Sequence, residues 1–385
     1  PTPLGLALWD QDRELHVRPT PSGLAAILWR YQSEPDGTYT RIHIAAAQPT
    51  PIQWELQPGS YLIELAAGSD TTTVRYPFSL PSGAERASDT RAIDLAIPDA
   101  IPAGYVYIPP GSFLFGFGRR GEEEFIRRWY ETMPLHERTT DEYLIAEHET
   151  TIEDWITYLR QLDPEERALR MPRTDPGYHS HYVRLVEERG QFALYISPNH
   201  RERPSRLGQP VLYDARPIRR KQDWQTFPVT GITADDAQAY TEWLAATRVP
   251  GARLCREDEW ERAARGADGR VYPHGDRLNP DDANYDQTYG RVEEAFGLDQ
   301  VGSHRRSQSP FGLHDMIGNV NEFTRSFLDR DQIIARGGSF FNDKSTGAAA
   351  NRLPITNALR FPYLGLRVCA DLLRTDRPAA TPKSK

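Results

Sequence analysis

The chain has 385 residues, a formal net charge of −8, 38% apolar and 26% charged residues, and aromatic side chains spread along its whole length. That length suits two domains, and the composition excludes a disordered or low-complexity protein. The acidic balance gives no electrostatic ground for a nucleic-acid partner, and no run approaches the roughly 20 apolar residues a membrane-spanning helix needs, so membrane insertion is not expected either.

Two cysteines, Cys255 and Cys369, cannot build a disulfide framework. Each stands beside apolar residues, so both read as buried structural thiols in a reducing compartment. The alternative is a pair or a reactive thiol. The first residue is Pro1 rather than Met, which points to a piece of a longer polypeptide. The default location is cytoplasmic, unless the parent protein places the chain elsewhere.

Residues 1 to 100 carry strand and turn signals: Gly5 to Trp9, Ala25 to Tyr31, Arg41 to Ala45, Ile52 to Leu56, Tyr61 to Leu65 and Val74 to Leu80. Pro58-Gly59-Ser60 turns the chain between two of these runs, as in a hairpin, and Val74, Tyr76 and Phe78 alternate as a half-buried strand does. The pattern predicts a small all-β sandwich, ended by a linker from Ala87 to Ala103.

From Gly104 the character changes, with a strand at Tyr105 to Ile108, a Pro109-Pro110-Gly111 turn and a second apolar run at Ser112 to Phe115. His148-Glu149 reads as strand leading into a helix capped by Thr151, whose apolar face is Trp155, Tyr158, Leu159 and Leu162. His179-Ser180-His181 reads as a solvated pair rather than a metal site, and Arg216 to Lys221 as a solvated basic loop. A second helix follows Thr233, with Asp235 and Asp236 in its first turn, and a third runs from about Arg256 to Arg265 and stops at Gly266. Loops and short strands follow, and the tail 374–385 reads as disordered.

Six phrases occur in order: YVYIPPGSFLFG from Tyr105, FPVTGITADDAQAYTEW from Phe227, RLCREDEWERAARG from Arg253, FGLHDMIGNVNEFT from Phe311, RGGSF from Arg336 and LGLRV from Leu364. Together they resemble the formylglycine-generating-enzyme, or sulfatase-modifying-factor, family. The resemblance implies an α+β, C-type-lectin-like domain over 104–373, preceded by the small sandwich. The phrases around the two cysteines are similar to versions attached to bacterial serine/threonine kinases, so an upstream kinase or effector domain in the parent protein is an expected partner.

The family's oxidase activity implies two copper-binding cysteines after the Gly-Gly-Ser-Phe phrase, and soft thiolates are what a cuprous ion demands. Those places fall at Asn342 and Gly347 here, so no copper is expected. The iron-dependent branch draws histidines from a helical domain, whereas His16 and His43 lie in a β-rich segment without helical spacing. Some members carry calcium. The resemblance places it here on the carboxylates of Asp315 and Glu322 and the carbonyls of Gly318 and Val320, hard oxygen donors that suit Ca²⁺. The reading beside it is structural: Gly318 and Asn319 supply turns, Glu322 accepts hydrogen bonds and Arg367 bridges loops.

The family's Trp-Glu-Trp core is replaced by Asn321-Glu322-Phe323, and the loops that rim the family's cleft offer Phe341, Asn342, Asp343, Lys344, Leu353, Ile355, Thr356, Phe361 and Tyr363. Apolar anchors mixed with polar groups on loops over a rigid scaffold suit a protein or peptide ligand. The layout is also similar to the variable proteins of diversity-generating retroelements. The expected function is therefore a non-catalytic ligand-binding or sensor module. The alternative is an oxygen-dependent oxidase, or another enzyme of the family, with a rearranged site.

Overall fold

The computed structural model describes residues 13–67, 72–81, 91–118, 130–174, 181–198 and 203–373. The expected strand at Gly5 to Trp9, His179 and Ser180, and the tail 374–385 lie outside the described residues. Strands β1 (Arg13–Thr20), β2 (Ala25–Ser33), β3 (Tyr39–Pro49), β4 (Ile52–Leu56), β5 (Gly59–Ala67), β6 (Thr72–Leu80) and β7 (Arg91–Ala96) form two sheets, ordered β4-β1-β7 and β3-β2-β5-β6. Period-two alternation explains the sandwich. Leu15, Val17, Trp54, Ile93 and Leu95 of one sheet face Leu28, Ile63, Leu65, Val74, Tyr76 and Phe78 of the other, all buried.

Two local readings change. The Pro58 turn is not a hairpin, because β4 pairs with β1 while β5 pairs with β2 and β6, so the turn carries the chain from one sheet to the other. The stretch read as a linker contains β7, which lies parallel to β1. Its Ile93, Leu95 and Ile97 alternate inward, a signal masked by the flanking Ser, Asp and Pro residues.

The outer face of the larger sheet is also covered. Ser60 donates to Asp268 at 2.5 Å, and Arg75 donates to the Phe311 carbonyl at 3.3 Å. Arg270, 2% exposed, is gripped by both oxygens of Asp268 (2.7 and 2.6 Å) and lies 4.3 Å from the Tyr31 ring and 5.0 Å from the Tyr39 ring. A guanidinium sandwiched by rings and neutralised by a carboxylate can be buried at tolerable cost. It joins the sandwich to the second half of the chain.

That half begins with β8 (Tyr105–Ile108), β9 (Gly111–Phe115), β10 (His136–Thr140) and β11 (Tyr143–Ala146), then helices α1 (Ile152–Leu159) and α2 (Pro164–Leu169). Thr151 caps α1 in a reciprocal box with Asp154, as its sequence predicts. Next come β12 (His181–Glu188), β13 (Gln191–Pro198), β14 (Arg203–Arg206), β15 (Val211–Leu212) and β16 (Lys221–Gln222), then α3 (Ala234–Thr247), capped by Thr233 with Asp236. The last elements are β17 (Ala252–Arg256), α4 (Glu257–Arg265), β18 (Asn321–Arg325), β19 (Ile333–Arg336), β20 (Leu353–Ile355), β21 (Leu364–Gly365) and β22 (Val368–Ala370). The main sheet runs β20-β19-β18-β17-β22-β11-β8, with β21 beside β18. Among the described residues no helix is long and apolar enough to cross a membrane.

Every residue of α4 is buried, including Glu257, Asp258, Glu259, Glu261, Arg262 and Arg265. An unpaired buried charge costs several kcal/mol, and each carboxylate here has its cation. Glu257 takes both arms of Arg352 (2.8 and 2.9 Å), Glu261 takes Arg336 and Arg265, Glu259 takes both arms of Arg253, and Asp258 takes Arg138 at 2.7 Å.

Arg216 is likewise not part of a solvated basic loop. It is 2% exposed, donates to Asp299 at 2.6 Å, and stacks 3.4 Å from the Tyr213 ring. Burial pushes the Asp299 carboxyl up, but Arg216 and His304 outweigh it and hold the group down to about 2.

The two cysteines are not free thiols. Cys255 and Cys369 form a disulfide, with both residues wholly buried. Antiparallel pairing of β17 with β22 brings them together although 114 residues separate them in sequence. Denatured but unreduced protein is therefore expected to take up no alkylating reagent, and reduced protein two equivalents per chain. Closing a loop of that length restricts the unfolded state, so the Cys255→Ala/Cys369→Ala variant should lose about 2–5 kcal/mol in a denaturant melt. Two thiols that react without reduction would overturn the pairing.

Candidate functional site

The site is built on the turn that leads into β18. Asp315, Gly318 and Asn319 have φ of 53°, 75° and 57°. A side chain at Gly318 would collide with the Asn284 carbonyl, so this left-handed turn needs glycine. Asn319 locks it, accepting from Asp299 N–H (3.0 Å) and Asn284 Nδ2 (3.1 Å) and donating to Glu149 Oε2 (3.2 Å). Glu322 then faces inward. It receives Trp260 Nε1 at 2.5 Å and Arg367 Nη2 at 2.8 Å, while Arg367 also donates to the carbonyls of Ala146, Glu147 and His314. Arg367 thus bridges loops as the sequence suggests.

The same region crowds carboxyl groups together. Glu149, read from sequence as plain strand, is a wholly buried carboxyl on the bend before α1, and its Oε1 has no partner among the described residues. Burial first, then the neighbouring Asp315 and Glu322, push Glu149 well above the ordinary carboxylate range, and burial also raises Asp315. Three carboxyls share the single Arg367, and protonation of Glu149, the form its burial favours, relieves that crowding. Among the described residues no three acidic, His or Cys side chains converge on one point, so the carbonyls of Gly318 and Val320 would have to complete a ligand set. Both Glu322 oxygens already accept hydrogen bonds.

Beside this turn lies a cleft of about 260 Å³. Asn321, Asn342, Leu353, Ile355, Phe361 and Tyr363, six of the sequence-predicted residues, line it together. Phe341 adjoins it, and its ring stacks on Tyr363 at 5.6 Å and 8°, while the Phe361 ring stacks on Tyr363 at 5.2 Å and 10°. Three nearly parallel rings, with Tyr363 touching the other two, make an apolar stack beside the cleft. Exposure varies along it: Phe341 is 43% and Leu353 44% exposed, Ile355, Phe361 and Tyr363 are half-buried, and Asn321 is only 9% exposed. Asp343, Lys344 and Thr356 are exposed but do not line the cleft. Asp343 instead caps its own turn, accepting from the N–H groups of Ser345 (3.0 Å) and Thr346 (3.1 Å).

Tyr130, Thr346, Asn351 and Arg352, outside the set of candidate ligand residues, line the cleft as well. Arg352 is held by Glu257, 95 residues away, and Tyr130 reaches Thr346 Oγ1 at 2.6 Å across a far longer gap. Nothing local in the sequence announces either contact.

Residues 97–372 match the Sulfatase-modifying factor enzyme 1-like domain. The chain belongs to that family. Its sulfatase-modifying-factor domain is 36% identical over 142 residues to the inactive C-alpha-formylglycine-generating enzyme 2 of Bos taurus, covering 34% of this chain and 44% of that protein. It is 28% identical over 280 residues to the protein of the same name from Mus musculus, covering 66% and 79%. A serine/threonine-protein kinase of Chlamydia pneumoniae is 26% identical over 61% of this chain, which spans 29% of that protein. The match therefore takes in less than half of the bovine relative and under a third of the kinase. Among solved structures, PvdO from Pseudomonas aeruginosa superposes with a TM-score of 0.50 at 18% identity, over 70% of this chain and 94% of its own. The fold is the family's α+β, C-type-lectin-like arrangement.

Burial makes the two adjacent phenylalanines of the cleft unequal. Phe340 is 3% exposed and Phe341 43%. Phe340→Ala is expected to cost about 3–5 kcal/mol of folding stability and Phe341→Ala less than about 1 kcal/mol in denaturant melts. Equal losses would show that the outer ring belongs to the core.

Proposed function

We propose that this chain is a non-catalytic recognition module of the sulfatase-modifying-factor family, and that its cleft receives a protein or peptide ligand. The observation that carries the reading lies where the family resemblance implies copper thiolates. Asn342 is an amide that accepts from Ser339 Oγ at 2.6 Å. Gly347 is packed so that an added Cβ would meet Ile317 at 2.8 Å. The chain's two cysteines are bonded to each other in the core. The names of the mammalian relatives support the same reading.

The cleft has room for one or two side chains, short of a typical small-molecule pocket. That size suits an anchor residue of a larger partner, with the stacked rings supplying apolar area and the neighbouring amides orientation. The similarity to a chlamydial kinase supports a sensor at one end of a signalling protein. The arrangement of the C-terminal loops supports a diversified variable protein as a second specific form.

Full-length protein offered Cu(I) without oxygen is expected to show no thiolate site, and a sulfatase-type cysteine peptide should stay unconverted in air. Formylglycine product would establish the alternative, an oxidase with a rearranged site.

Calcium at the Asp315 turn belongs to the same proposal. Asp315 and the carbonyls of Gly318 and Val320 would hold the ion, with Glu322 adding charge while bonded to Arg367. A hard cation there would relieve the repulsion between the Asp315 and Glu322 carboxylates and stiffen the turn that positions Asn321. Added Ca²⁺ should raise the melting temperature of chelator-treated protein, by mass action on the native state. Asp315→Asn should remove that increment. A melting curve indifferent to chelation and to millimolar Ca²⁺ would leave the turn closed by hydrogen bonds alone.

A further inference from the structure

Of the three amides that line the cleft, Asn351 gives its nitrogen to the Ser345 and Thr346 carbonyls and its oxygen is shut off from solvent; the other two hold a more specific message than the apolar wall. Asn321 Nδ2 donates to Asn342 Oδ1 at 3.3 Å and to the Tyr363 carbonyl at 3.4 Å. Asn342 Oδ1 also accepts from Ser339 Oγ at 2.6 Å, whose own oxygen faces the Phe341 N–H at 3.4 Å. These contacts fix both amide orientations, because the nitrogen of Asn321 sees only acceptors and the oxygen of Asn342 only donors. The remaining two atoms, Asn321 Oδ1 and Asn342 Nδ2, have no hydrogen-bond partner among the described residues. One is an acceptor, the other a donor, and they belong to two side chains that touch each other on the cleft wall.

An acceptor beside a donor complements a group that presents a donor and an acceptor toward the same side. A single trans peptide unit does not, since its N–H and C=O point in opposite directions. One residue of an extended chain does, because its own N–H and C=O project to the same edge, as they do toward a neighbouring antiparallel strand. The surroundings restrict the side chains that accompany it. The cleft lining contains no carboxylate, and its guanidinium, Arg352, is committed to Glu257 through two bonds of 2.8 and 2.9 Å. Leu353, Ile355, Phe361, Tyr363 and Leu364 supply its larger apolar side chains, and the Tyr130 and Thr346 hydroxyls are bonded to each other.

We propose that Asn321 and Asn342 together hold the main-chain N–H and C=O of one residue of an extended, uncharged peptide segment, whose neighbouring apolar side chain enters the cleft. This rests on the recognition reading above. It assigns the two amides as specificity-determining residues and gives the ligand's chemistry: main chain read by the asparagines, apolar side chain by the rings, and no charge at the point of contact. A buried or half-buried amide left without its partner is penalised more than a lost apolar contact, so the pair selects strongly for an unblocked, extended backbone.

The test uses the full chain and peptides selected against it from a displayed library of random sequences. In each selected peptide, one backbone amide at a time is replaced by an ester, which removes a single N–H, and binding is measured by calorimetry. Ester replacement at one residue is expected to weaken binding at least tenfold. Against Asn321→Leu the unmodified peptide should bind at least tenfold more weakly, and the ester penalty should disappear. Asn342→Leu, at a half-buried position, should show the same tenfold loss while the variant still melts in one cooperative transition above the assay temperature.

Peptides that lose binding with Phe361→Ala or Leu353→Asp but bind both asparagine variants normally would overturn this inference and leave the cleft reading standing. Peptides indifferent to all four variants would overturn both. Binding that depends on an Asn, Gln or charged side chain of the peptide, with no sensitive backbone position, would also refute the main-chain assignment.

Discussion

The interaction on which the rest depends is the pairing of buried charge around α4. A helix with four carboxylates and two guanidinium groups out of water is tolerable only if partners arrive from elsewhere in the chain, and they do so from β10, β17, β19 and the segment before β20. Removing one partner leaves the other charge stranded, which costs far more than the pair contributes. Segments with little regular structure are thereby held in one arrangement. The cleft inherits that fixity. Arg352 on its wall is an α4 partner, and Trp260 of α4 donates to Glu322, next to Asn321.

The sandwich is attached by the same device. Arg270, held by Asp268 between the rings of Tyr31 and Tyr39, places one more neutralised cation at a joint. Backbone bonds from Tyr39 N–H to the His274 carbonyl and from Asp276 N–H to the Gly37 carbonyl continue the contact. The two parts therefore share a polar seam with specific partners, which fixes their register more tightly than an apolar contact of similar size would.

What could be read in the sequence is what short-range physics determines. Thr151 with Asp154 and Thr233 with Asp236 are three residues apart, so the two helix starts were visible, as was Gly266 as a stop. Alternation of Val74, Tyr76 and Phe78 gave a correct inner face. The failures share a cause. The Cys255–Cys369 pair, the burial of Arg216 against Asp299 and the capture of Arg352 by Glu257 all join residues 83 to 114 positions apart. An arginine in a basic run looks solvated until its distant carboxylate is known. Six candidate cleft residues were found because the family phrases locate the loops, whereas Asp343 turned inward on its own turn, a local capping option that the sequence also permits.

The position of β22 has a consequence for the order of assembly. The last described strand lies inside the main sheet, between β17 and β11, rather than at its edge. Without it, β8 and β11 have no hydrogen-bonded route to β17, β18, β19 and β20, and the sheet is two separate fragments. A chain emerging from the ribosome can pair the strands of its sandwich while most of the remainder is still unmade. The second part can join its two fragments only once residues 368–370 are available. The central sheet, the disulfide and the cleft it supports thus wait on the final segment of the domain, so a chain truncated just before it would expose two sheet edges that the finished protein conceals.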